Sequence, residues 1–135
     1  MRSFALSSNG SRAMSSARDA AIWLEDIRSA SAKILHYVGD RSQDEFLADE
    51  ACHLIIERLM ITLGEACVQI RRHHPGIALQ IPDISQICAT RNRFVHGYWT
   101  IDPVLLFGMC AVQLPMLREA AERLLDQCGS GPPPP

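Results

Sequence analysis

Apolar residues recur at intervals of three and four along most of this chain, the period of helices that each bury one face. A first helix begins at a cap on Ser15 or Ser16 and carries Ile22, Trp23, Ile27, Ala30, Ile34 and Val38 before Gly39 ends it. Ser42 with Glu45 forms a capping box that starts a short turn, or the first turn of a longer helix, around Phe46 and Leu47. Residues 50 to 72 have the strongest period: Cys52, Ile55, Ile56, Leu59, Leu63, Ala66 and Ile70 share a side, while Leu54, Met60 and Ile61 spill past it. Such a helix spans roughly 34 Å at about 1.5 Å per residue. Its broad apolar surface places it centrally or against a second subunit.

Pro75-Gly76 closes that helix, and residues 77 to 82 read as a connector. Asp83 is expected to cap the next helix, whose face is Ile84, Ile87, Cys88, Arg91 and Val95. A turn at Thr100 to Pro103 follows, with Asp102 as N-cap and Pro103 in the first helical position. The last helix carries Leu106, Met109, Cys110, Leu117, Ala120, Ala121 and Leu124, with Pro115 expected to kink or open it and Gly129 to stop it. The pattern predicts an all-α protein, an antiparallel bundle of four to five helices. It divides into a loose tail (1–15), a helical domain (16–128) and a Pro-rich tail (129–135). Met14 is a second candidate initiator.

The 135 residues, 15.0 kDa, fit one domain with a modest core. A formal charge of -2 argues against a broad basic coat for nucleic acid, yet a few converging arginines can still hold phosphate. Five separate cysteines with no Cys-x-x-Cys pair favour buried thiols in a reducing, cytoplasmic setting. Phe4-Ala5-Leu6 is too short for a signal peptide, and no run reaches the ~18 uninterrupted apolar residues of a membrane span, so no membrane role is expected.

Polar chemistry concentrates in Arg91-Asn92-Arg93-Phe94-Val95-His96-Gly97-Tyr98, where one helix runs out. Arg91 lies on an apolar stripe and so requires an acceptor or a polar cleft. Asn92 and His96 are four apart, so the amide can orient the imidazole. With RNA as target, Arg91 can stabilise a phosphate through bidentate bonds, and His96 can take the ribose 2'-hydroxyl proton or protonate the leaving oxygen. One histidine does not readily fill both roles, whereas a symmetric dimer supplies a second. A structural account stands beside this one: Arg91 pairs with Glu57 or Glu65, His96 caps its helix, and Tyr98 with Trp99 is an aromatic plug. The adjacent His73 and His74 diverge by about 100° on a helix and make a poor metal site, and His36 and His53 read as structural.

Arg91, four residues, His96, one residue and Tyr98, with Asn92 after the arginine, resemble the signature of HepT-like toxins of the HEPN superfamily. The similarity covers about residues 18 to 125, including Trp23-Leu24-Glu25-Asp26-Ile27, Gly64-Glu65, Ile81-Pro82 and Asp102. Asp83 departs from it, standing where many relatives carry tryptophan. The resemblance implies a HEPN-type helical homodimer with two motifs facing a shared cleft. It further implies a toxin that is a metal-independent ribonuclease needing no cofactor, with Arg91 and His96 catalytic and Asn92 and Glu65 supporting. Its implied partner is an MntA-like minimal nucleotidyltransferase that uses ATP to place AMP on Tyr98. The alternative is a non-catalytic subunit that binds nucleotide or RNA and regulates the transferase.

Overall fold

The computed structural model describes residues 2–97 and 101–129, with side chains from Arg18 onward. Among the described residues it is all-α, with six helices rather than four or five: α1 (Arg2–Val38), α2 (Gln43–Ala48), α3 (Glu50–His73), α4 (Pro75–Ala78), α5 (Ile84–His96) and α6 (Pro103–Gly129). The additional element is α4, a single turn in the expected connector. Pro75 sits in its first turn, where a missing N–H costs no helical bond.

Local signals set several boundaries. Gly39 takes a positive φ of 56° just past α1, and both halves of the Ser42–Glu45 capping box form, each at 3.2 Å. Asp102 accepts from the Val104 N–H at 2.9 Å and so caps α6, which runs unbroken through Pro115. Two expectations fail. The α1 backbone is helical back to Arg2, so Ser15 and Ser16 lie within the helix instead of capping it. Elongation adds one bond per residue fixed, so a helix anchored by packing extends through serines that would not nucleate one. Asp83 does not cap α5 through its side chain, because its backbone is left-handed at φ 57° and ψ 27°. Its carboxylate instead accepts from Gln113 of α6 at 3.3 Å, in a conformation that aspartate tolerates better than most residues.

The core lies where α3 and α6 both pack on α1, while α5 packs on the other flank of α3. Leu24, Ile27 and Ile34 of α1 are fully buried, as are Ile56, Met60, Leu63 and Ile70 of α3 and Leu114 of α6. On α3 the expected stripe residues Cys52, Ile56, Leu63, Ala66 and Ile70 are buried; Met60, placed past its edge, is buried too, whereas Ile55 is 38% exposed. α1 and α5 pack most extensively on α3, α2 and α4 touch it as well, and Leu54, Arg58 and Thr62 stay exposed.

Phe46 of α2 seals one end of the bundle against Phe107 (ring centroids 5.2 Å) and His53 (4.5 Å). A His53 ring nitrogen also lies 2.5 Å from the Phe46 carbonyl oxygen, which gives that histidine a structural role. Cys52, Cys67, Cys88 and Cys110 are buried free thiols, and desolvation pushes Cys110 up to about 12 and Cys67 further still. α6 is also long and apolar enough to cross a membrane by length and composition. Gln113 and Pro115 interrupt that run, and its buried stripe packs against α1.

Replacing Phe46 with alanine removes a fully buried ring and is expected to cost about 3–5 kcal/mol. Urea unfolding measures this; a loss under about 1 kcal/mol would show that α2 does not seal the core.

Candidate functional site

Glycine is a poor choice for the middle of a long helix, costing about 1 kcal/mol relative to alanine. Gly64 of α3 has a steric reason to be there. A β-carbon at this position would fall 2.1 Å from Arg91 Cβ and 2.5 Å from Arg91 Cγ. The missing side chain therefore makes the slot that the Arg91 stem occupies, and it sets how closely α5 approaches α3.

Beyond that slot the guanidinium reaches the margin of α3. Its Nη2 donates to Glu65 Oε2 at 2.5 Å, and its Nη1 donates to Asn92 Oδ1 at 2.9 Å. The second Glu65 oxygen accepts from Gln69 Nε2 at 3.0 Å. Gln69, Glu65, Arg91 and Asn92 thus form one chain of hydrogen bonds across two helices. Arg91 Nε is buried and has no hydrogen-bond partner among the described residues. Of the five guanidinium N–H donors, two are engaged and the Nε–H is covered, which leaves one on each terminal nitrogen for a ligand. The Arg91 side chain is 24% exposed and that of Glu65 41%, so the pair sits at a surface margin and adds at most about 1 kcal/mol. Its main effect is geometric, because it fixes a fork suited to an oxyanion.

His96 is the last residue of α5 and is exposed. Gly97 follows in the left-handed region at φ 66°, and its N–H donates to the Arg93 carbonyl oxygen at 3.3 Å, closing the helix. His96 stands five positions after Arg91, so the imidazole emerges about 7.5 Å along the axis and about 140° around it. Within one chain, then, Glu65, Arg91 and Asn92 come together, while no hydrogen bond joins His96 to them. The Asn92 amide oxygen faces Arg91 rather than orienting the imidazole. Tyr98 and Trp99 lie outside the described residues. His73 is exposed and His74 buried, and the described residues contain no cluster of three His, Cys, Asp or Glu that could hold a metal ion.

The Glu65 partner was among the options for Arg91 that the sequence offered. Gln69 was missed, although it stands four residues after Glu65 on the same helical face, the spacing at which polar side chains meet.

The sequence profile described as "Ribonuclease HepT-like" matches residues 27–124. The "Probable ribonuclease HepT" of Thermococcus cleftensis is 26% identical over 106 residues, covering 76% of this chain and 92% of that protein. The "Putative RNase MJ0125" of Methanocaldococcus jannaschii is 22% identical over 112 residues, covering 80% and 92% respectively. No solved structure matches the chain significantly.

Helix propensity alone would make Gly64→Ala stabilising by about 1 kcal/mol. The contact with Arg91 reverses the sign, and a net loss of about 1–3 kcal/mol is expected. Chemical denaturation decides between them, since a stabilised variant would contradict the close approach.

Proposed function

The chain belongs to the ribonuclease HepT-like family, and on that premise we propose that it is the toxin of a toxin-antitoxin pair, an endoribonuclease acting through Arg91 and His96. The observation that carries this reading is the Arg91 fork, fixed by Glu65 and Asn92 at the seam of α3 and α5, with an exposed imidazole at the end of the same helix. The two remaining terminal N–H groups of Arg91 bind non-bridging phosphate oxygens and stabilise the charge that builds as phosphorus becomes five-coordinate. His96 takes the proton from the ribose 2'-hydroxyl; its oxygen bonds to phosphorus, and the bond from phosphorus to the 5'-oxygen breaks. That leaving oxygen needs a proton, which the imidazole of a second copy supplies across a two-fold cleft. A homodimer built around the motif also covers exposed apolar surface at the end of α5, Val95 included.

Tyr98, two residues beyond His96, is the proposed acceptor of AMP from a cognate minimal nucleotidyltransferase using ATP. Added phosphate groups beside the cleft repel the RNA backbone and occupy the arginine. The proposed setting is the bacterial or archaeal cytoplasm, with RNA as substrate and no cofactor of the toxin's own. A second reading makes the protein a non-cutting RNA or nucleotide holder that regulates the transferase. It is favoured by the fork being closed on Glu65 and Asn92 and by the lack of any link from Arg91 to His96.

Replacing His96 with alanine is expected to slow RNA cleavage by about 10²–10⁴-fold. Arg91→Lys should rescue little, because a point charge does not replace a planar fork. RNA survival and cell growth identical to wild type in the His96→Ala strain would defeat the catalytic reading, and intact RNA bound in an Arg91-dependent way would favour the second. Intact-protein mass spectrometry after co-expression with the transferase should show whole AMP increments on Tyr98; addition at another residue would refute that acceptor.

A further inference from the structure

The catalytic proposal leaves unused a groove on the flank of α3 that faces α1, across the exposed face of α3 from Arg91. Lys33 and Tyr37 of α1 and Leu54, Ile55, Arg58 and Leu59 of α3 line it, around a volume of about 510 Å³. That volume falls within the range of small-ligand sites. Its lining has two cations, one aromatic ring, an aliphatic floor and no carboxylate, in a protein of formal charge -2. Tyr37 is 41% exposed, and the edge of His36 rests against its ring at 5.7 Å and 71°. The Tyr37 carbonyl oxygen is engaged by Arg41, which fixes the backbone at that end of α1.

The groove and the candidate site are both built on α3. Arg58 precedes Glu65 by seven residues, two helical turns, so both stand on the same exposed face about 10.5 Å apart along the axis. Thr62 is the exposed residue between them. A single strand whose phosphate lies at Arg91 can follow this face and reach the groove within a few nucleotides.

We propose that the groove of Lys33, Tyr37 and Arg58 is a second RNA subsite, in which an unpaired base stacks on Tyr37 over the aliphatic floor while Arg58 and Lys33 hold flanking phosphates. An aromatic face with cations tracking the backbone suits single-stranded nucleic acid of many sequences. This inference rests on RNA being the ligand of the Arg91 site. It adds binding energy away from the reacting phosphate, so it acts on substrate affinity and not on the chemical step.

The test uses the full chain carrying His96→Ala, with a fluorescein-labelled single-stranded oligoribonucleotide and anisotropy as readout. Tyr37→Ala and Arg58→Gln are each expected to weaken binding about ten-fold, Tyr37→Phe to retain it, and the dependence on salt to fall in Arg58→Gln. In the cleaving protein the same changes raise KM and leave kcat. RNA binding that Arg91→Ala abolishes but the Tyr37 and Arg58 changes leave intact would overturn the subsite while the catalytic reading stands. Binding that needs Tyr37 in a wild-type protein that never cuts RNA would uphold the subsite and remove the catalysis. Variants that turn a dimer into monomers with RNA affinity unchanged would instead make the groove a contact between copies, and that too overturns the proposal.

Discussion

The contact on which this structure turns is the passage of the Arg91 stem over Gly64. Two helices approach so closely there only because one of them lacks a side chain, and a β-carbon would stand 2.1 Å from its neighbour. That approach places the Glu65 carboxylate within 2.5 Å of the guanidinium, and Gln69 holds the carboxylate from behind. A glycine unfavourable to its own helix thus enables a tertiary contact that propensity does not reward, as is common where function competes with local preference.

The same contact explains why arginine occupies an otherwise apolar stripe. Ile87 and Cys88 precede it as buried residues of α5, whereas Arg91 sits where the helix leaves the core. Its stem takes the packing role of an aliphatic side chain and its head remains at the margin, the usual compromise of a long cationic residue. A buried Nε without a hydrogen-bond partner among the described residues is a cost of this placement, about 1–3 kcal/mol by the usual penalty for an unmet donor.

Much of this fold was legible because the signals are local. Gly39 ended α1, Ser42 with Glu45 opened α2, and Asp102 with Pro103 opened α6, each through a bond between near neighbours in sequence. The choice between Met60 and Ile55 at the edge of the α3 stripe was not legible, since which edge is covered depends on where α1 and α5 sit. Nor was the left-handed Asp83, whose carboxylate answers to Gln113 of a later helix. At the site, Arg91 demanded an acceptor by its position alone and Glu65 was one of two carboxylates available. The slot at Gly64 required the packed pair of helices to be seen, because nothing in a sequence period records the distance between them.

The central claim is that the Arg91 fork is held ready for an RNA phosphate. It is tested most directly by an experimental structure of the His96→Ala protein bound to an uncleaved single-stranded oligoribonucleotide. The account predicts a phosphate oxygen accepting hydrogen bonds from the Arg91 terminal nitrogens, with the Arg91 stem still seated over Gly64 and Glu65 still held by Gln69. RNA phosphates bound elsewhere, with the guanidinium closed on Glu65 and Asn92 as it is without ligand, would contradict it.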